Sequence, residues 1–361
     1  MAKVFAIFNN MNDITNCIKN ISVDNFRGIQ HLEIDGFSKI NLIAGKNNVG
    51  KSTILEALFL LIGMSNPELP NVVNTFRLRS NIANWDHLRY LFYNMDLDSK
   101  IQLTGVVKNE NRSVDISLQN LYNAYGQSNS STKMQNFDSI KLTFMRDGFP
   151  SQMSSVLSIF PDGRMNRQID PVYMENTLAR FIPASHENDL GVEFSQFLKN
   201  QKNGNRDVLL QILRKFDANI SSIDMLNDGL YVGFENVNGL VPLAFAGDGL
   251  KLFLNVLISV ANSNNDVIFI DEIDNGLHYS SYTLFWKSLI EMERNNKTQL
   301  FLTTHNSEML CALRDVLKEN TTYHPLVRFF SVSNFKNEMH AYKYDADEFI
   351  AAIDSDVEIR R

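Results

Sequence analysis

The chain is poor in cysteine and has no long apolar run, and each absence excludes a class of protein. Its 361 residues include only two cysteines, Cys17 and Cys311, which excludes a disulfide framework and a multi-cysteine metal site. The most apolar stretch, residues 57–64, is far shorter than the roughly 20 residues of a membrane-spanning helix. The first residues also lack a charged segment followed by a small-residue cleavage site. We therefore expect a cytoplasmic protein without a membrane anchor.

An excess of positive charge is missing too. The 34 Lys and Arg residues are outnumbered by 41 Asp and Glu, for a net charge of −7. Because the molecule as a whole is acidic, any contact with nucleic acid requires a local basic patch. The apolar fraction of 44% and the charged fraction of 21% are those of an ordinary folded globular protein.

Hydrophobic periodicity divides the chain into strands and helices. Alternating apolar residues predict three short strands within residues 17–44, and apolar positions spaced by three and four predict a helix after Lys51. Further strands are predicted at residues 101–107, 113–118, 139–145, 267–270 and 299–304. Since the last two strands alternate with helices, they indicate a parallel sheet covered on both faces. The pattern at 229–245, with a turn at residues 237–239, indicates a hairpin.

The same patterns predict three segments. Residues 1–64 would form the N-terminal part of the core domain and residues 229–361 its C-terminal part. Residues 65–228, rich in Asn and Ser, would form an inserted β-rich and helical subdomain that includes a polar loop around residues 124–133. Helical spacing resumes before residue 216, but no heptad pattern lasts long enough for a coiled coil.

Residues 45–52 match the pattern G-x-x-x-x-G-K-[ST] between a predicted strand and a predicted helix. In such a loop the backbone N–H groups face phosphate oxygens, the lysine reaches the β and γ phosphates, and the Ser hydroxyl binds magnesium. A nucleoside triphosphate is the expected ligand, and the motif does not distinguish ATP from GTP. The predicted binding residues are Gly45, Lys46, Asn47, Asn48, Val49, Gly50, Lys51, Ser52 and Thr53.

Acidic residues follow the predicted strand 267–270. There Asp271 is placed to serve a magnesium ion together with Ser52, and Glu272 to activate the attacking water. Without a phosphate loop, two acids at a strand end would be an ordinary solvated terminus. His305 follows the next predicted parallel strand, so it belongs to the same carboxyl edge of the sheet, where ligands of such folds bind.

Together these residues resemble the ABC-type ATPases of the SMC, RecF and OLD kind, and in particular prokaryotic AAA-family ATPases similar to an OLD ATPase without its nuclease domain. The resemblance extends over most of the chain. It rests on NFRGI (25–29), GKNNVGKSTILEAL (45–58), FIPAS (181–185), VPLAFAGDGLK (241–251), IFIDEIDNGLH (268–278), TTHN (303–306) and VEIRR (357–361).

The resemblance implies the fold of a P-loop NTPase: an α/β ABC-type head with a mixed, mainly parallel central sheet flanked by helices, plus the inserted subdomain. It also implies that ATP and Mg²⁺ are held between two heads. The signature segment Gly247-Asp248-Gly249 of one head would then face the phosphate loop of the other. Asp274 would belong to the D-loop, and Glu272, His305 and Lys51 would be the catalytic residues.

The signature carries Gly247 where transporter-type signatures have a serine, which leaves backbone donors and an acidic side chain. The resemblance would place Arg27 near ATP or along a DNA-facing surface, with an ordinary exposed arginine as the alternative. No Q-loop glutamine is identified between the phosphate-loop helix and residue 181.

The resemblance implies an ATP-hydrolysing homodimer or larger oligomer, and two roles compete for it. One is a nucleotide-dependent scaffold that controls a separate effector, such as a nuclease or toxin, in prokaryotic defence against phage. The alternative is a DNA-associated clamp in repair or maintenance, for which the run FRLRSN with Arg77 and Arg79 offers local positive charge. A head that binds ATP without hydrolysing it is disfavoured by the presence of Asp271, Glu272 and His305.

Overall fold

The computed structural model describes residues 17–77, 85–119, 139–149, 151–159, 164–184, 190–200, 205–226, 229–262, 266–294, 296–335 and 338–355. In these ranges the strands are β1 (Ile18–Phe26), β2 (Ile29–Asp35), β3 (Ile40–Ala44), β4 (Ile101–Val107), β5 (Glu110–Gln119), β6 (Ser139–Arg146), β7 (Met153–Ile159), β8 (Met165–Gln168), β9 (Ala179–Ile182), β10 (Ile220–Leu226), β11 (Gly229–Phe234), β12 (Leu240–Pro242), β13 (Val267–Ile270), β14 (Gln299–Thr304), β15 (Val327–Phe335) and β16 (Glu338–Tyr344). The helices are α1 (Lys51–Ile62), α2 (Leu69–Thr75), α3 (Trp85–Leu88), α4 (Gly191–Asn200), α5 (Asn205–Phe216), α6 (Asp248–Ala261), α7 (Tyr282–Arg294), α8 (Ser307–Glu319) and α9 (Ala346–Asp354).

A six-stranded sheet in the order β16-β15-β3-β14-β13-β9 forms the centre of the fold. Its neighbouring strands are parallel except for the antiparallel pair β15 and β16. Strands β3, β13 and β14 are buried at every residue, as expected of a parallel sheet with both faces covered. The predicted α/β fold with a mainly parallel central sheet is therefore confirmed.

Two apolar cores lie on opposite faces of this sheet. Along β3, Leu42 packs into the core formed with helices α4 to α9, whereas Ile43 packs into the core formed with α1 and the antiparallel sheet. Successive side chains of a strand point to opposite faces, so every central strand contributes to both cores. This arrangement fixes the carboxyl edge of the sheet, where β3, β13 and β14 end side by side.

A seven-stranded antiparallel sheet in the order β2-β1-β4-β5-β6-β7-β8 covers α1. The close approach of α1 to this sheet requires Gly105 in β4. A Cβ atom there would lie 2.9 Å from the Leu61 Cδ2 atom and 2.5 Å from the Asn20 carbonyl oxygen. Helix α1 is thus held between the antiparallel sheet and the central sheet, with ten of its residues buried.

The predicted strands and the helix after Lys51 lie where the periodicity places them, and β11 and β12 form the predicted hairpin. Strand β10, which pairs with β11, was not predicted. Residues 65–228 supply β4 to β8 to the sheet that also contains β1 and β2, and they supply β9 to the central sheet. The three-segment division at residues 64 and 228 stays a prediction. Residues 124–133, Arg79 and residues 357–361 lie outside the described ranges.

Both cysteines are free: Cys17 is buried and Cys311 is partly exposed. Burial raises the pKa of Cys17 to about 12, so its thiol stays protonated and acts as a small apolar group. In the described part of the chain, no helix combines the length and apolar character needed to cross a bilayer.

Candidate functional site

The loop between β3 and α1 has a backbone that demands glycine at two positions. Gly50 adopts a left-handed conformation with φ of 97° at the start of α1, and a Cβ atom there would lie 2.5 Å from the Met339 methyl carbon. At Gly45 a Cβ atom would lie 2.5 Å from the Val332 carbonyl oxygen. At Gly45 a side chain would collide with backbone, and at Gly50 the left-handed conformation disfavours a residue with a Cβ atom, so the loop keeps its path against β15 and β16 only with glycine.

The Lys51 side chain is buried within this loop. Its Nζ atom donates to the carbonyl oxygens of Gly45 at 3.0 Å and of Lys46 at 2.8 Å. Burial lowers the pKa of Lys51, whereas the carboxylates of Asp271, Glu272 and Asp274 act in the opposite direction. The lysine therefore lies under the loop, and its charge faces the carboxylates that follow β13. When a nucleotide binds, the Lys51 Nζ atom can donate to phosphate oxygens in place of the Gly45 and Lys46 carbonyl oxygens.

A hydroxyl and a carboxylate meet where α1 begins. The Ser52 Oγ atom donates to the Asp271 Oδ1 atom at 2.9 Å, and the Thr303 Oγ1 atom donates to the same oxygen at 2.6 Å. Hydroxyl and carboxylate oxygens are the donors that Mg²⁺ prefers in nucleotide sites. Ser52 and Asp271 therefore fit a magnesium ion, and Thr303 orients the carboxylate from behind.

Glu272 occupies a strained position directly after β13. Its φ is +53°, and its backbone N–H donates to the Thr303 Oγ1 atom at 2.8 Å. Burial raises the pKa of Glu272, and the neighbouring Asp271 raises it further, whereas His305 and Lys51 lower it. A carboxyl with a raised pKa is a better proton acceptor once ionised, which suits a general base.

Asp274 and His305 face each other at the same edge. The Thr304 Oγ1 atom donates to the Asp274 Oδ1 atom at 2.6 Å, and the His305 Nδ1 atom lies 3.9 Å from the Asp274 Oδ2 atom. The following residue, Asn306, caps α8 by accepting from the backbone N–H groups of Glu308 and Met309. The histidine therefore lies at a rigid junction between β14 and α8.

The segment Gly247-Asp248-Gly249 begins α6 and packs against the loop that follows Asp274. A Cβ atom at Gly249 would lie 2.5 Å from the Gly276 carbonyl oxygen, so backbone touches backbone there. The Asp248 side chain is exposed and pairs with Lys251 at 3.0 Å. The described contacts of this segment join it to Gly276 and Leu277, in the loop after Asp274.

Arg27 is not an exposed arginine. Its Nε atom lies 2.6 Å from the Glu56 Oε2 atom with only 9% of its side chain exposed, and its Nη2 atom donates to the Asn74 Oδ1 atom at 3.0 Å. Burial lowers the pKa of Arg27 to about 10, so the guanidinium remains charged at neutral pH. The ordinary exposed arginine that was the alternative for this position is thereby excluded, while a role near ATP or DNA stays a prediction.

The sequence singled out Arg77 only as part of a basic run that could face DNA, but the structure places it beside the phosphate loop, where it shares Glu56 with Arg27. The Arg77 Nε and Nη2 atoms donate to both carboxylate oxygens of Glu56 at 2.8 and 3.1 Å. The Nη2 atom also donates to the Thr53 Oγ1 atom at 3.1 Å, which brings a cation to the phosphate loop. Neither Glu56 nor Thr303 has a local signal of its own, although Glu56 lies in the segment 45–58 and Thr303 in the segment 303–306.

A cavity of about 450 Å³ opens beside these two arginines. It combines cationic, amide and aromatic groups, which suit a polar ligand with a flat ring. The lining includes Arg27, Asn74, Arg77, His87, Tyr90 and Phe92.

Residues 40–310 match the family described as "AAA domain, putative AbiEii toxin, Type IV TA system". The chain is similar to an ATP/GTP phosphatase of Helicobacter pylori, with 27% identity over 85% of this chain and 90% of that protein. A shorter stretch is 48% identical to the DNA replication and repair protein RecF of Clostridium acetobutylicum, over 12% of each chain. Among solved structures, an SMC head bound to the C-winged helix domain of ScpA aligns with a TM-score of 0.48 at 12% identity, over 91% of this chain and 98% of that chain.

Proposed function

The chain belongs to the AAA-domain family that its residues 40–310 match, and we propose that it acts as an SMC/RecF-like ABC-type ATPase that hydrolyses Mg-ATP at the phosphate loop. One observation carries this proposal: Lys51, Ser52, Asp271 and Glu272 converge from α1 and the end of β13 on one edge of the central sheet. That edge is where α/β folds bind their ligands.

Each side chain has a role that follows from its place. Lys51 neutralises the charge of the β and γ phosphates, and the N–H groups of the loop hold their oxygens. Ser52 and Asp271 would hold magnesium, which neutralises developing charge on the phosphates. Glu272 accepts the proton of the attacking water, and His305, fixed beside Asp274, positions the γ-phosphate. The products are ADP and phosphate.

The nucleoside half of the ligand belongs in the cavity beside Arg77. Thr53 follows Ser52 on the first turn of α1, so the phosphate nearest the nucleoside lies next to the Thr53 hydroxyl and the Arg77 guanidinium that contacts it. From there the cavity offers the exposed ring of Tyr90 to a base. This placement brings Arg27 to the wall of the nucleoside pocket, without requiring DNA.

Hydrolysis is completed by a second head. The N-terminus of α6 has N–H groups available to bind a phosphate, and its described contacts within the chain are with the D-loop. We therefore assign Gly247, Asp248 and Gly249 to the γ-phosphate bound by a partner head, with Asp274 beside them at the interface. A homodimer is the smallest assembly that satisfies this geometry.

The proposed role of this cycle is to control a separate effector, a nuclease or toxin, in prokaryotic defence against phage. Two observations support it: the family description names a toxin–antitoxin system, and Val172 and Met174 expose apolar side chains beside the antiparallel sheet, where another protein can bind. The alternative is a DNA-associated clamp, which the RecF-like stretch favours. Salt-sensitive binding of duplex DNA would support the clamp.

The proposed catalytic base is tested by phosphate release from Mg-ATP. We expect Glu272→Gln to retain ATP binding while its turnover falls by about 100-fold or more, because the water loses its proton acceptor. Glu235→Gln, at an exposed glutamate outside the site, is the matched control and keeps wild-type turnover. Unchanged turnover in Glu272→Gln would contradict the assignment.

A further inference from the structure

One buried carboxylate on α1 has no part in the mechanism above. Glu56 is 1% exposed and lies one helical turn after Ser52, on the helix that begins with Lys51. A buried carboxylate is retained only when charged partners compensate for its lost hydration. The two partners of Glu56 are arginines that approach from different parts of the chain.

The two arginines are held very differently. Arg27 is anchored by Glu56 and also donates to the Val73 carbonyl, the Asn74 side chain and the Tyr90 carbonyl. Its position is therefore fixed by several groups in addition to Glu56.

Arg77, in contrast, has 45% of its side chain exposed, and its described side-chain hydrogen bonds are to Glu56 and Thr53. The orientation of Arg77 therefore depends on Glu56.

The geometry of the pair is specific. Thr53 and Glu56 are three residues apart on α1 and so lie on one face of the helix. The Arg77 guanidinium spans both, with its Nε and Nη2 atoms on the carboxylate and its Nη2 atom also on the Thr53 hydroxyl. A two-pronged arginine–carboxylate pair fixes direction as well as distance. It aims the guanidinium at the first turn of α1, beside the phosphate loop.

We propose that Glu56 is a positioning residue that holds Arg77 against Thr53, so that its guanidinium contacts the phosphate nearest the nucleoside. The inference rests on the proposed nucleotide site. Glu56 itself touches no ligand and acts through Arg77. Two arginines share this single carboxylate, which leaves a net positive charge beside the cavity for an anionic ligand.

A double-mutant cycle tests this coupling. The equilibrium affinity of the full chain for ADP labelled with an N-methylanthraniloyl group is measured in Glu56→Gln, Arg77→Gln and the double variant. ADP carries the relevant phosphate without the γ-phosphate that draws two heads together. We expect each single variant to weaken binding about tenfold, the scale of a charge-assisted hydrogen bond, and the double variant to bind no more weakly than the singles.

The chain offers a matched control at the other end of the same helix. Glu175 pairs with the buried Arg112 at 2.9 Å, and Arg112 donates to the Ile62 carbonyl at the C-terminus of α1. We expect Glu175→Gln to lower the melting temperature and leave the ADP affinity within about twofold of wild type. A similar loss of affinity in Glu175→Gln would mean that Glu56 matters only as a support of α1, which would overturn the proposal.

Two other results would also overturn it: wild-type affinity in folded Glu56→Gln, or single effects that multiply to about 100-fold in the double variant. If Glu56→Gln does not fold, Arg77→Lys decides, because it keeps the charge of a half-exposed residue and loses the two-pronged pair. It is expected to bind ADP about as weakly as Arg77→Gln, and wild-type affinity would refute the proposal. Failure of the nucleotide site itself is distinguishable, since then the wild type and Lys51→Ala would not differ.

Discussion

Glu272 is costly to the folded protein in two ways. Its left-handed backbone conformation costs on the order of 1 kcal/mol for a residue with a Cβ atom, and burial together with the neighbouring Asp271 raises the pKa of its carboxyl. The N–H bond to Thr303 and the end of β13 hold it there. A residue maintained against its own preferences at a strand edge is typical of a functional site.

The raised pKa of Glu272 makes both stability and turnover depend on pH. Because the folded pKa lies above the unfolded one, the folded state holds this proton more tightly, and ionisation as pH rises through the folded pKa costs folding free energy. We expect Glu272→Gln to melt at a higher temperature than wild type at pH 8, by more than it does at pH 4. Wild-type turnover should rise as pH rises through the same pKa, since the base must be ionised.

Thermal melts of Glu272→Gln, wild type and Glu235→Gln over this pH range provide the check. A constant difference between Glu272→Gln and wild type across the range would show that the carboxyl is not destabilised by its ionisation. The exposed control, Glu235→Gln, is expected to follow the wild-type curve.

Tyr90 tests the nucleoside pocket. Its ring lines the cavity and is 53% exposed, so removing it costs little stability but takes away a surface for a base. We expect Tyr90→Ala to raise the KM for ATP several-fold with little change in kcat. Tyr342, 54% exposed on β16, is the control for residue type and exposure. Equal KM values for Tyr90→Ala and Tyr342→Ala would show that the cavity is not part of the nucleotide site.

At the scale of elements, the two glycines that flank Asp248 separate packing from ligand binding. Gly249 contacts the Gly276 carbonyl, so Gly249→Ala pushes the start of α6 away from the loop around Gly276. Gly247 has open space where a Cβ atom would lie. We expect Gly249→Ala to lose about 1–3 kcal/mol in urea unfolding, as for other overpacked sites. We expect Gly247→Ala to keep the stability of the wild type but to lose ATP turnover, because the added methyl group blocks access to the nucleotide bound by the partner head. Wild-type turnover in Gly247→Ala would show that this segment does not contact the partner's nucleotide.

Sequence patterns predict the elements whose apolar residues either alternate regularly, as in β2 and β4, or form a continuous run. Strands β13 and β14 are short runs of apolar residues, and α1 follows a glycine loop with its own motif, so local order is enough to identify them. Strand β10, with Ser221, Ser222 and Asp224 between its apolar residues, has no such run and depends on pairing with β11. The phosphate loop and the two acids after β13 could likewise be predicted from the sequence, because the residues of each motif lie in one continuous segment.

The rest of the site depends on which strands become neighbours. Thr303 reaches Asp271 because β14 lies beside β13, and Arg77 reaches Glu56 because the chain after α2 returns to α1. Both contacts join residues from separate segments, and a threonine or an arginine has many ordinary positions in a sequence. No local pattern encodes such pairs, so the fold must be known before their roles are visible.

At the scale of the whole molecule, the proposed two-head mechanism makes turnover depend on protein concentration. We expect phosphate released per head to rise with protein concentration until dimers saturate, and Glu272→Gln with Mg-ATP to sediment as a dimer. Lys51→Ala is the control that should remain monomeric in ATP. Turnover per head that stays constant over a 100-fold dilution, with a monomer at every concentration, would contradict the shared site.

Adding duplex DNA to the same assay separates the two roles. Stimulation that weakens steeply with salt would indicate the clamp, because phosphate contacts release counterions. Turnover indifferent to DNA would favour control of a protein effector. The acidic net charge of −7 makes the second outcome our expectation.

The order of strands in the central sheet also governs how the molecule is made. Strand β3 ends at residue 44, but its neighbours β14 and β15 begin only at residues 299 and 327. During synthesis the phosphate loop therefore leaves the ribosome long before β14 and β15, and until they follow β3 lacks both of its neighbours in the central sheet. Such long-range pairing slows folding and leaves apolar strands exposed. A chain that terminates before β14 and β15 therefore carries the motif but not the activity, and ATP turnover begins only after these strands have been made.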